Sequence, residues 1–147
     1  MAYQGEELLG GRETTFSKIF IQGKPVVLNF WAGQCPPCRA EMPAFQKVAD
    51  EFQGKVIFVG VDVGPFTGLG SHEDAQRLLA ELRIRYPAAY AVDAAPLRLY
   101  NVRSMPTTVI LGPNGQPLQQ VDGMMFEQQL RQAVEKAATS SDKGGYR

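Results

Sequence analysis

Only two cysteines, one histidine and one tryptophan occur in this 147-residue chain. A zinc site of four cysteines, or of two cysteines and two histidines, is excluded because the ligands are missing. No run of 18 apolar residues exists, so no segment is expected to span a bilayer as a helix. Neither sign of charge is in excess: 15 Lys and Arg balance 15 Asp and Glu. That balance supplies no electrostatic drive toward nucleic acid or an anionic membrane. The opening residues, Met1-Ala2-Tyr3-Gln4-Gly5-Glu6-Glu7, lack the basic and apolar regions of a secretory leader. Two locations stay open on that reading: the cytoplasm, or an extracytoplasmic site reached with a leader or anchor since removed.

What remains is an ordinary globular composition, with enough apolar residues for one core. A single domain is expected over residues 1–138. Residues 139–147 are polar and Gly-containing, and a disordered tail is expected there.

The two cysteines stand together in Trp31-Ala32-Gly33-Gln34-Cys35-Pro36-Pro37-Cys38. An apolar run, Pro25-Val26-Val27-Leu28-Asn29-Phe30, precedes them, and a helically patterned segment, Arg39 to Phe52, follows. A strand thus delivers Cys-x-x-Cys to the first turn of a helix. The thiolate is the working nucleophile, and helix N-terminal amides with the positive end of the dipole stabilise it. A purely structural disulfide closing so short a loop would remove little unfolded-chain entropy. A redox pair is therefore the reading favoured over a metal site or an inert bridge.

Continuous β-branched runs predict buried strands over Val26 to Phe30 and Val56 to Val63. Phe45, Val48, Ala49 and Phe52 recur at one-face spacing in a helix from Pro36 to Phe52, with a kink expected at Pro43. A flexible loop is expected over residues 64–70. Ser71 and Asp74 form a helix start, and Ala75, Leu78, Leu79 and Leu82 share the face of the helix they open. Tyr86 to Val92 reads as extended, Asp93 to Tyr100 as a short helix and Thr107 to Leu111 as a strand. Asn114-Gly115 marks a hairpin turn before a returning strand, Leu118 to Val121. Phe126 to Ala137 carries a last amphipathic helix. Residues 1–13 read as a loose lead-in, and Thr14 to Phe20 as a short helix or turn. The order β-α-β-α, hairpin, helix predicts one α/β domain with a mixed central sheet and helices on both faces.

Gly23 through Ala32, Cys35-Pro36-Pro37-Cys38-Arg39-Ala40-Glu41-Met42-Pro43, Tyr100-Asn101-Val102, Met105-Pro106-Thr107-Thr108 and Gly112-Pro113-Asn114-Gly115 together form a specific pattern. On these residues the chain resembles the thioredoxin superfamily, and within it the TlpA/ResA-like thiol–disulfide reductases of bacteria, over residues 10–138. The resemblance implies a thioredoxin fold with an inserted helical segment between the second and third core strands, within residues 64–95. It implies a cis Met105–Pro106 bond beside the cysteines, where substrate segments dock along the backbone.

It also implies a mechanism. Cys35, at the helix tip, attacks a substrate disulfide, and Cys38 resolves the mixed disulfide. No cofactor beyond this pair is expected. The partners are disulfide-containing proteins outside the cytoplasm, apocytochrome c and copper-site assembly proteins among them, and an upstream thiol reductant, which can be membrane-bound. Pro36 and Pro37 offer Cys35 no N–H and no side-chain donor, whereas strongly oxidising relatives carry a histidine there. The reducing direction is favoured accordingly. Asn29 stands where thioredoxin has a buried aspartate. Glu41 matches an acidic position of TlpA/ResA-like proteins, either tuning a thiol or relaying a proton; the alternative is a first-turn glutamate facing the helix dipole. Trp31 is expected on the rim of the site, Arg39 in solvent or near the thiolate, and His72 at the surface. Met105, Met124 and Met125 form an apolar contact patch or join the core. A monomer is expected. The competing functions are a disulfide oxidase or isomerase, and a Cu(I)-handling thiol module using His72. A peroxidase is weaker, because Ala32 stands where peroxiredoxins have threonine.

Overall fold

The computed structural model describes residues 1–5, 11, 13–20 and 22–144. Six strands form one mixed sheet: β1 (Ala2–Gln4), β2 (Val26–Trp31), β3 (Ile57–Asp62), β4 (Ala88–Tyr90), β5 (Thr107–Leu111) and β6 (Pro117–Asp122). Their order across the sheet is β1-β4-β3-β2-β5-β6. The helices are α1 (Phe16–Phe20), α2 (Pro36–Glu51), α3 (Gly64–Thr67), α4 (His72–Glu81), α5 (Ala95–Leu99) and α6 (Glu127–Gly144). β2 pairs in parallel with β3, β3 with β4, and β2 pairs antiparallel with β5. This is the thioredoxin fold expected from the sequence.

Alternation along β2 divides the core. Val27 and Trp31 join one apolar cluster with Met42 and Phe45 of α2, Leu78 of α4 and Leu130 of α6. Val26, Leu28 and Phe30 point the other way, into a second cluster with Ile19 of α1 and, at its margin, Leu97 of α5. Every residue of β2 and β3 is buried, which explains sequences that are apolar but for Asn29 and Asp62: strands covered on both faces have no solvent side to make polar. α2 buries Cys38, Glu41, Met42, Phe45, Gln46 and Val48, a stripe at helical spacing. It runs unbroken through Pro43, which lies on the exposed face. There the carbonyl left without an N–H partner can turn to water.

Three segments differ from the sequence expectations, and a fourth, read as extended, gains a strand. The lead-in contains β1, whose pairing with β4 extends the sheet by an edge strand; three residues are too few for a periodicity signal. The loop over 64–70 contains the short helix α3, opened by Gly64-Pro65 with proline in its first turn. Extended residues 86–92 contribute β4, so the insertion adds a strand as well as α4. The last helix continues past Ala137 to Gly144, since Ala138 to Lys143 contains no helix breaker. Residues 145–147 lie outside the described residues.

Phe45 is fully buried and meets Phe58 edge-on, at 6.3 Å between ring centroids. Phe45→Ala is expected to lower unfolding free energy by about 3–5 kcal/mol. Truncating the partly exposed Leu118 of β6 should change it by less than about 0.5 kcal/mol. Urea titrations of both variants check the contrast.

Candidate functional site

β2 ends at Trp31, and four residues later Cys35 caps α2 in an extended conformation. Pro36 and Pro37 occupy the first helical positions, where a missing N–H breaks no helical bond. The first free amide of the helix therefore belongs to Cys38, and it donates to Cys35 Sγ at 3.3 Å. Cys35 and Cys38 are disulfide-bonded, with Cα atoms 5.2 Å apart. Cys35 is 4% exposed and Cys38 fully buried, so the bond's contact with solvent is on the Cys35 side. Both prolines are exposed beside it.

Beneath the disulfide lies a polar set buried between sheet and helix. Asn29 Nδ2 donates to Glu41 Oε1 at 2.9 Å and to Thr108 Oγ1 at 3.1 Å. Glu41 Oε2 accepts the Met125 N–H at 2.9 Å. The Asn29–Thr108 contact follows from register, since the two residues face each other across β2 and β5. Glu41 is one helical turn beyond Cys38 and points inward at 1% exposure, so it is not a surface group serving the helix dipole. Loss of hydration raises its pKa to about 7, against the opposing pull of the Met125 and Asn29 hydrogen bonds.

Trp31 departs from expectation: it is fully buried, not on the rim. It has the same β2 parity as Val27, and Ala75 and Leu78 of α4 join its cluster. Its ring lies against Gly60 of β3, where a Cβ would sit 2.8 Å from Trp31 Nε1; glycine makes room for the indole. Tyr86, which the sequence reading passed over, flanks the same glycine. Trp31 Nε1, Tyr86 Oη and Asn29 Oδ1 are buried without a hydrogen-bond partner among the described residues.

The Met105–Pro106 bond is cis. Pro106 is buried, and its carbonyl accepts the Gly123 N–H at 2.8 Å. Met105 and Met124 are half-buried, and Met125 belongs to the core. Arg39 turns away to Glu81 of α4 at 2.7 Å. His72 is not simply at the surface. Its Nδ1 lies 2.7 Å from Tyr3 Oη and 3.3 Å from Asp62 Oδ2, tying α4 to β1 and β3. Tyr3, Thr108 and Met125 gave no sequence signal for these contacts, since each is made across strands or loops far apart in the chain.

A carboxyl that titrates near 7 in the fold and near its usual 4.5 when unfolded binds a proton more tightly in the folded state. Stability should therefore fall as pH rises between these values, by on the order of 3 kcal/mol in total from this group. Glu41→Gln is expected to flatten that fall. Denaturation midpoints from pH 4.5 to 8 measure it.

Against known proteins, the chain is 32% identical over 105 residues to the thiol-disulfide oxidoreductase ResA of Oceanobacillus iheyensis, covering 71% of this chain and 53% of that protein. It is 36% identical over 117 residues to the thioredoxin-like protein YneN of Bacillus subtilis, covering 78% of this chain and 65% of that protein. It thus spans between about half and two-thirds of these curated relatives. Its structure is similar to that of a secreted Mycobacterium tuberculosis disulfide oxidoreductase homologous to E. coli DsbE. There the TM-score is 0.71 at 25% identity, covering 92% of this chain and 95% of that one. The sequence model described as the AhpC/TSA family matches residues 4–116, from β1 to the turn before β6, and on that match the chain belongs to the AhpC/TSA family.

Proposed function

We propose that this protein is a thiol–disulfide oxidoreductase that reduces disulfides in protein partners outside the cytoplasm. The observation that carries the reading is the Cys35–Cys38 disulfide across the first turn of α2, open to solvent only at Cys35. The names of the relatives support it: two are thiol–disulfide or disulfide oxidoreductases, and one of these is secreted. Cytochrome c maturation, or a related thiol-redox task, is the setting that relatives of the ResA and DsbE kind suggest. A peroxidase remains the weaker reading, with Ala32 in place of the threonine that chemistry uses.

In the reduced protein the Cys35 thiolate attacks one sulfur of the substrate disulfide. A Cys35–substrate bond forms, and the other substrate sulfur leaves as a thiolate. Cys38 then attacks Cys35, expels the second substrate sulfur and closes the Cys35–Cys38 disulfide. Two electrons have passed to the substrate, and an upstream dithiol must return them. Cys38 is buried and must lose its proton to attack. Glu41 is the nearby buried carboxyl whose proton affinity lies close to neutrality, and it is assigned that proton. Asn29 and the Met125 N–H hold the carboxylate in place. The partner's extended segment is assigned to the edge at Met105 and Pro106. Pro36 and Pro37 favour the reducing direction, since neither has an N–H to offer and the first helical amide that donates to Cys35 is that of Cys38.

Cys35→Ser should abolish disulfide reduction, and Cys38→Ser should accumulate a mixed disulfide at Cys35, visible by mass spectrometry. Equilibration with dithiothreitol buffers should give a potential near that of thioredoxin, about −270 mV; a value near about −120 mV would assign the protein to disulfide formation instead. With Glu41 ionised as base, the resolving step should accelerate as pH rises through about 7. Glu41→Gln should remove that break, which stopped-flow release of a thiol substrate would show.

A further inference from the structure

The turn that carries the dithiol does not stand alone; the inserted segment grips it at several points. The Gln34 backbone N–H donates to the Leu69 carbonyl at 2.7 Å, and Gln34 Nε2 donates to Asp74 Oδ2 at 3.0 Å. Asp74 also completes the capping box that opens α4, accepting from the Ser71 N–H and hydroxyl while Ser71 Oγ accepts the Asp74 N–H. One carboxylate oxygen thus serves both the start of α4 and the residue next to Cys35. Gly33 packs so closely on this helix start that a Cβ would lie 2.6 Å from the Ala75 nitrogen and 2.6 Å from the Asp74 carbonyl carbon. On its other side, Val63 N–H donates to the Trp31 carbonyl at 2.9 Å as the chain enters α3.

From these contacts we infer that the α3–α4 insertion is a buttress for the dithiol, with Gly33, Gln34 and Asp74 as positioning residues that hold Cys35 at the N-cap of α2. The inference rests on the proposed redox role of Cys35. The physical link is short. Cys35 Sγ meets the Cys38 N–H only while residue 35 keeps its extended capping conformation. Residues 33 and 34 set where that conformation begins, and they are fixed to α4 rather than to α2. Releasing them lets the sulfur drift from the amide and the helix dipole that favour its thiolate.

Two uncharged substitutions separate this role from bulk stability. Gly33→Ala forces the turn off α4, and Gln34→Ala removes the tie to Asp74. Ala80→Gly weakens α4 at an exposed position that touches none of these contacts. The readout is the rate of iodoacetamide alkylation at Cys35 of the reduced protein against pH, located by peptide mapping, with a thermal melt for each variant. Gly33→Ala and Gln34→Ala should each raise the Cys35 titration midpoint by about half a unit, roughly threefold less thiolate at neutral pH. Ala80→Gly should leave the midpoint where it is while lowering the melting temperature. If Gly33→Ala does not fold, Gln34→Ala decides. An unmoved Cys35 midpoint in Gln34→Ala, or an equal shift in Ala80→Gly, overturns the inference. Alkylation needs no disulfide substrate, so this outcome is separate from failure of the reductase reading, which would appear as a wild-type protein unable to reduce disulfides.

Discussion

The structure depends on β2 being buried on both faces. A strand hydrogen-bonded to β3 on one side and β5 on the other, with helices above and below, has no freedom of register. A slip of one residue would move Val26, Leu28 and Phe30 into the α2 face and displace Val27, Asn29 and Trp31. Because that register is set, the point where the chain leaves the sheet is set, and so is the position of Cys35. The dithiol inherits its placement from hydrophobic burial several residues upstream.

The same burial shapes the chemistry. Asn29 lies on the α2 face of a strand whose other inward residues are apolar, so its amide needs partners, and it finds Glu41 and Thr108. Glu41 in turn sits where its charge is costly, and its proton affinity rises toward neutrality. A carboxyl that in water would be ionised throughout the physiological range becomes, under the disulfide, a group able to hold or release a proton. Its second oxygen reaches Met125, just before α6, so the polar set joins the strand and helix of the site to the start of the C-terminal helix.

Much of this was legible along the chain because the relevant signals are local. Cys-x-x-Cys at a strand–helix junction, the Ser71–Asp74 capping box and the Asn114-Gly115 turn each involve residues within a few positions of one another. The capping box formed as its spacing implied, with Asp74 in the role more often taken by glutamate. Trp31 shows where local reading fails. Its alternation along β2 gives a face, yet whether that face is covered depends on α4, forty residues later. β1 and β4 are three residues each, and they exist because an edge was available to pair with, not because of their own pattern.

By itself the sequence determined the location of the Cys-x-x-Cys pair, the order of the elements, the apolar faces and the two prolines that remove two amides beside Cys35. These follow from nearest-neighbour chemistry and from periodicity, which the chain carries before it folds. Tertiary structure alone decided that Glu41 would be buried and near neutrality, that Trp31 would lie in the core, and that the insertion would grip the turn at Gly33 and Gln34. Desolvation and packing are properties of what surrounds a residue, and the surroundings here come from segments brought together only by the fold.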